Sequence, residues 1–167
     1  DCAEAGKRRS GKRAEAGDTG RVQVFYVKET RMDYLITGST GLVGGMLVRR
    51  LAEEAGETPL TVILPVRNEA KARSRLEGYG NRKNVRLRFI ECDICKTPPK
   101  QFAIESKRCR IIHCAAPTVS SYMISNPVET ADTIVLGTKN MLELAKFLHA
   151  DSVVYLSSME VYGRVED

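Results

Sequence analysis

No stretch of this chain approaches the ~20 consecutive apolar residues needed to cross a bilayer, and its N-terminus carries charge where a secretion signal needs an apolar run. These absences predict a cytoplasmic protein with no membrane partner. Tryptophan is missing, and no basic stripe is interleaved with aromatic residues as a nucleic-acid surface requires. The formal charge of +5 does not alter this, because residues 1–32 hold eight Lys/Arg against five Asp/Glu, leaving 18 against 16 for the rest. The main body is nearly neutral, and nucleic acid is not an expected partner. A disulfide framework is lacking too. The five cysteines (Cys2, Cys92, Cys95, Cys109, Cys114) form an odd set without framework spacing, as expected of reduced thiols in a reducing compartment. Cys92 and Cys95 make a C-x-x-C, and Cys109, His113 and Cys114 add metal-ligating types. The two groups fall at opposite ends of what read as adjacent strands, so no metal site is expected and the thiols read as buried apolar groups.

What is present is one soluble globular domain's worth of chain: 167 residues, 43% hydrophobic and 28% charged. Residues 1–20 repeat Ala-Glu-Ala-Gly at 3–6 and 14–17 around a Lys/Arg-rich stretch and read as disordered. Val22 to Val27 could form a short strand outside the pattern that follows. The span 1–31 is therefore expected to be a basic leader or arm, with the domain at 32–167. Lys28-Glu29 can be encoded by a purine-rich ribosome-binding sequence upstream of Met32, which makes Met32 a candidate start; a native arm is the alternative. The nucleotide sequence decides between them.

From Met32 the pattern alternates. Strands are expected at Met32–Thr37, Leu60–Val66, Val85–Glu91, Arg110–Cys114 and Ser152–Leu156. Helices are expected to about Ala55, to about Gly78 and over Pro127–His149, with an irregular or short helical link at Pro98–Ser106. Short β-rich runs separated by helices predict an α/β fold, a doubly wound parallel sheet with helices on both faces. Its ligand crevice lies at the carboxyl ends of the strands. Gly38, Gly41 and Gly44 follow the first strand at three-residue spacing. In a nucleotide-cradling turn, Gly38 permits the sharp bend, Gly41 permits close approach of a pyrophosphate and Gly44 permits close helix packing. Leu42, Val43, Met46, Leu47, Leu51 and Ala55 are expected to line one face of the first helix, with Gly56 at its C-terminus.

Five motifs stand in order: Thr37-Gly38-x-x-Gly41-x-x-Gly44, Cys92-Asp93-Ile94, Ile112-His113-Cys114-Ala115-Ala116, Gly137-Thr138-Lys139-Asn140-Met141-Leu142-Glu143, and Val154-Tyr155-Leu156-Ser157-Ser158-Met159-Glu160-Val161-Tyr162-Gly163. With them, Met32 to Asp167 resembles the extended short-chain dehydrogenase/reductases, in particular their NAD(P)-dependent nucleotide-sugar epimerases and dehydratases. The resemblance implies a Rossmann fold that stops short of the substrate lobe. It also implies a dinucleotide against Thr37, Gly38, Ser39, Thr40, Gly41, Leu42, Val43 and Gly44. Asp93 would accept from the adenine amino group and Ile94 would cover the ring; the alternative for Asp93 is a turn cap. Cys114, Ala115 and Ala116 would leave room for ribose and pyrophosphate, and His113 would pack beside the cofactor. His149 ends a helix as a solvated or dipole-facing residue.

Arg67, at the end of the second strand, offers a forked cation where NAD-binding chains place a carboxylate. Charge there leans toward NADP over NAD, with Arg49 or Lys71 as helpers, against the alternative of a solvated loop arginine. Ser158 matches the family's catalytic Ser/Thr, its hydroxyl on the substrate oxygen, with Ser157 in support. Tyr162 reads as packing near the site, and Thr118, Ser120 and Ser121 either face a diphosphate or form a polar loop. The family's Tyr-x-x-x-Lys acid/base pair is expected beyond Asp167; Tyr79 and Lys83 have that spacing but flank a turn far from the crevice. Ile134 departs from the Asn often found there. The expected activity is hydride transfer at a sugar carbon of a nucleotide sugar, with residues 1–167 inactive alone and a homodimer possible for the full-length protein. A non-catalytic NADP-sensing module and an acyl-thioester reductase of the same superfamily are the alternatives.

Overall fold

The computed structural model describes residues 31–80, 82–102, 104 and 108–163; the proposed leader, including Val22 to Val27, lies outside them. Five parallel strands form one sheet in the order β3-β2-β1-β4-β5: β1 (Met32–Thr37), β2 (Leu60–Val66), β3 (Val85–Glu91), β4 (Cys109–His113) and β5 (Ser152–Tyr155). The crossovers carry α1 (Leu42–Glu54), α2 (Glu69–Gly80), a 3₁₀ turn (Pro99–Phe102), α3 (Ser120–Ser125) and α4 (Pro127–Leu148), and a second 3₁₀ turn spans Met159–Tyr162. The sheet is doubly wound, as expected.

Alternating side chains along the strands build two cores. Leu35, Ile63 and Ile111 point to one face and join Phe102, Cys109, Met141 and Leu144 beneath α4. Ile36, Val62 and Leu64 point to the other and meet Val48 of α1 and Ala72 and Leu76 of α2. The near-continuous apolar run of β2 is what a strand covered on both faces requires. Pro65 is tolerated there because pairing of β2 with β1 ends at Leu35↔Ile63. On the other side β1 stays paired with β4 as far as Thr37↔His113. The glycine turn that follows β1 is thus fastened to β4 and free of β2.

Several boundaries move. β4 begins at Cys109 and ends at His113, so Cys114 lies just past the strand. Ser120 and Ser121, for which a polar loop is one of two readings, open the short helix α3. The buried stripe of α1 is Gly44, Val48 and Ala52, with Leu47 and Leu51 at its flanks; Leu42, Val43 and Met46 are 80%, 45% and 62% exposed. At Gly44 the helix lies too close to the turn for any side chain, and Val48 and Ala52 continue the buried stripe. Gly56 is not a left-handed cap, because α1 ends on extended Ala55. His149 takes that geometry instead, at φ 50°, closing α4 through its N–H to the carbonyls of Ala145 and Lys146.

Candidate functional site

The three glycines of the turn are needed for different reasons. Gly38 has φ 67°, and a Cβ there would sit 2.7 Å from the carbonyl carbon and oxygen of Cys114. A Cβ at Gly44 would strike the Gly38 carbonyl. Both glycines are required by the protein's own packing. Gly41 is less confined: a Cβ there would meet the Gly38 oxygen at 3.2 Å, close but without the clash found at the other two, and the residue is exposed. Gly41 is also the N-cap of α1, with no side-chain capping bond and no acidic residue in the first turn. The first amides of α1 therefore face open space with their partial positive charge uncompensated, which fits a pyrophosphate. Thr40 is half-buried beside them, whereas Ser39 is buried with its hydroxyl unpartnered among the described residues.

Thr37 and His113 knit β1 to the exit of β4. The Thr37 hydroxyl accepts the N–H of Cys114 at 3.1 Å and of Ala115 at 3.2 Å. Its own proton is then left for His113 Nδ1, 2.6 Å away, which makes His113 the neutral Nε2–H tautomer by donor count. Burial pushes the His113 pKa down, in keeping with a neutral ring. Its Nε2 is buried without a partner among the described residues, and the ring lies 5.6 Å from that of Tyr155. Thr37 therefore acts by holding the Cys114–Ala115 backbone under the turn, not by reaching into the crevice.

At the exit of β3, Asp93 Oδ1 accepts the Cys95 N–H at 2.9 Å, and its backbone carbonyl accepts the N–H groups of Lys96 and Thr97. The turn-cap role is thus filled, while Oδ2 faces Lys96 at 3.7 Å. The Ile94 side chain turns toward α4, where a Cβ on Gly137 would come within 3.3 Å of it, and Asn140 Nδ2 donates to the Ile94 carbonyl at 2.9 Å. This explains Gly137 and Asn140 in the fourth motif as anchors of the β3 exit. Leu156 N–H donates to the His113 carbonyl at 3.0 Å, which brings exposed Ser157 and Ser158 to the same sheet end as Cys114, Ala115 and exposed Ala116.

Arg67 is exposed at the end of β2, beside Lys71 and Arg75. Arg49 is committed elsewhere, bonded to Glu53 at 2.7 Å. Arg75 was not among the expected site residues, although its i, i+4 spacing from Lys71 places the two on one helix face. Tyr79 packs against the α1/α2 core, away from the crevice. Among the described residues no group of three His, Cys, Asp or Glu could hold a metal. Burial raises the thiol of Cys109 to about 11 and those of Cys92, Cys95 and Cys114 upward, so none is poised as a thiolate. A larger cleft, about 600 Å³, runs along α4 and Tyr155 between Val135, Leu142 and Lys146, away from the glycine turn.

Residues 34–167 match the model of the NAD dependent epimerase/dehydratase family. The chain belongs to that family. It is 31% identical over 147 residues to UDP-glucuronic acid decarboxylase 1 of Arabidopsis thaliana, covering 88% of this chain and 31% of that protein. It is 29% identical over 136 residues to the low-salt glycan biosynthesis protein Agl12 of Haloferax volcanii, covering 81% and 42%. The fold is shared with a UDP-glucuronic acid 4-epimerase from Bacillus cereus solved with UDP-glucuronic acid and NAD (TM-score 0.65, 20% identity, 81% of this chain and 43% of that one). It is also shared with a UDP-glucose-4-epimerase from Stenotrophomonas maltophila solved with NAD (TM-score 0.64, 21% identity, 81% and 40%). The chain thus spans well under half the length of the family relatives it matches. No helix among the described residues is long and apolar enough to cross a membrane.

Proposed function

We propose that residues 32–167 are the dinucleotide-binding part of an NAD(P)-dependent enzyme acting on a nucleotide sugar by epimerisation, dehydration or reduction. The observation that carries this is the exposed, uncapped start of α1 at Gly41, in a turn whose other two glycines the protein needs for itself. When bound, the nicotinamide exchanges a hydride with a sugar carbon. The chain's own part is to bind and orient. Amides of the first turn of α1 hold the pyrophosphate, the Gly41 N–H being spent on the Gly38 carbonyl at 2.9 Å, and the backbone at Cys114–Ala116 borders the ribose. Ser158, at the β5 exit, donates to or accepts from the reacting sugar hydroxyl, with Ser157 beside it. His113 is held neutral by Thr37 and serves as a wall, not a base.

Proton removal is assigned to a Tyr-x-x-x-Lys pair in the longer protein, so the 167-residue chain binds cofactor without turnover. Charge at Arg67 leans the cofactor choice to NADP. Calorimetric titration with NAD⁺ and NADP⁺ tests the reading. Saturable binding of at least one, weakened more than about tenfold by Gly41→Val, is expected; no binding of either, or turnover of a nucleotide sugar by the 167-residue chain, refutes the corresponding half.

A further inference from the structure

The turn that follows β3 carries Asp93, and the aim of that carboxylate depends on what holds the turn. Its internal bonds are short-range: Asp93 Oδ1 accepts the Cys95 N–H, and the Asp93 carbonyl accepts those of Lys96 and Thr97. Such bonds fix the shape of the turn but not its direction relative to the glycine turn after β1. β3 is an edge strand. Its ladder with β2 ends at Val66↔Glu91, followed by one bond from the Cys92 N–H to the Val66 carbonyl at 2.8 Å. Past that point Ile94 and Cys95 are tied to the body of the protein through α4. Cys95 Sγ approaches the Asp132 carbonyl at 3.9 Å, the Ile94 side chain lies against Gly137, and Asn140 Nδ2 donates to the Ile94 carbonyl at 2.9 Å.

The three ties differ in kind. A thiol at 3.9 Å is a weak donor, and Gly137 supplies only room. Asn140 supplies direction, because an amide N–H bond to a carbonyl is short and angle-dependent. Helix propensity does not favour asparagine in the middle of a 22-residue helix, where it ranks below alanine, leucine or lysine. Here its half-buried side chain reaches the turn after β3. The carbonyl it holds belongs to the Ile94–Cys95 peptide, and the N–H of that same planar unit is the one that donates to Asp93 Oδ1 at 2.9 Å. Asn140 and Asp93 thus grip opposite sides of one rigid plate, and a bond to its carbonyl strengthens the N–H as a donor. The Asp93 carboxylate is left with Oδ1 held by the turn and Oδ2 facing exposed Lys96 at 3.7 Å.

We propose that Asn140 is a positioning residue for base recognition: through the Ile94–Cys95 peptide it sets where Asp93 Oδ2 points, so that the chain distinguishes a purine with a 6-amino group from one with a 6-oxo group. This rests on the reading of the glycine turn as a dinucleotide site, with Asp93 against the base. A carboxylate accepts a hydrogen bond from an amino group and repels a carbonyl oxygen, and the bond is strong only at good distance and angle. Holding the plate from α4 converts a solvated acid into a selective one. Asn140 itself touches neither the base nor the reacting atoms.

The test is calorimetric titration of the chain with NAD⁺ and NADP⁺, each beside its hypoxanthine analogue, in which a 6-oxo group replaces the 6-amino group. Wild type should bind the adenine form about tenfold tighter than the analogue. Asn140→Ala should weaken the adenine form about fivefold and the analogue less than about twofold, so that the ratio between them falls. Asn140→Asp, which keeps the size but cannot donate to a carbonyl, should lower the ratio at least as far. Partial unfolding of a variant weakens both forms alike and leaves the ratio unchanged, which separates positioning from a merely structural role. In an Asp93→Ala background, Asn140→Ala should change the affinity for the adenine form less than about twofold. Binding of neither dinucleotide removes the site and the proposal together. Equal binding of adenine and hypoxanthine forms by wild type overturns the proposal and leaves the dinucleotide site standing. A ratio that survives Asn140→Ala, or the full Asn140→Ala loss in the Asp93→Ala background, overturns it as well.

Discussion

The two halves of the sheet are finished to different degrees. On the β1–β2 side, α1 and α2 close over Ile36, Val62 and Leu64, and the glycine turn touches the β4 exit so closely that Gly38 and Gly44 admit no Cβ. On the β4–β5 side the lower part of α4 is equally well seated, with Met141 and Leu144 buried. Its outer face is different. Val135, Leu142, Val154 and Tyr155 are 62%, 54%, 50% and 45% exposed, and Ser157 and Ser158 stand at the sheet's open end. The lesson is that, on the proposed reading, cofactor recognition and substrate chemistry would be separable in this chain. The first would rest on backbone that is locked by neighbouring backbone, the second on exposed side chains.

The sharpest way to break this contrast is to insert a side chain into the locked half. Gly44→Val should cost more than about 3 kcal/mol, because its Cβ meets the Gly38 backbone and not a flexible side chain that can move. Urea denaturation measures it; a loss under about 1 kcal/mol would mean the turn is not rigid. Thr37→Val should cost about 2–3 kcal/mol by leaving the Cys114 and Ala115 amides and His113 Nδ1 without their partner. A thermal melt showing no change would remove that node from the account.

The pH dependence is gentler and follows from His113. Its folded pKa lies below the ordinary 6.5, so the unfolded chain binds the proton more readily. The stability it contributes is complete above 6.5 and declines as pH falls from there toward the folded value. Wild type should therefore lose stability below pH 6.5 more steeply than His113→Gln; parallel pH curves would contradict a buried neutral ring. Least of all is expected on the open face, where Leu142→Ser should change stability by under about 0.5 kcal/mol, while Leu144→Ala, two residues on and buried, should cost about 2–5 kcal/mol.

The boundaries of β1, β2 and β3 were legible because each is a short β-rich run cut off by turns, with β2, buried along nearly its whole length, apolar almost throughout. The buried face of α1 was not legible. Periodicity selects Leu42, Val43 and Met46, but the helix packs by its smallest residues, and closeness of approach is not encoded in hydrophobicity. Asp93 and Ile94 were legible as a motif, yet their contacts with Cys95, Gly137 and Asn140 depend on how β3 meets α4. Arg75 went unnoticed for a similar reason, since it lies 35 residues from Thr40, whose carbonyl it holds.

Local order and chemistry were thus written in the chain itself: which segments alternate, where glycine must bend the backbone, and that a cation rather than an acid follows β2. The tertiary structure alone decided which glycines packing demands, that Thr37 is spent on β4, and that Lys71 and Arg75 join Arg67. Propensity and periodicity act between near neighbours, whereas a site is a meeting of residues far apart in sequence, and only the folded sheet sets those distances.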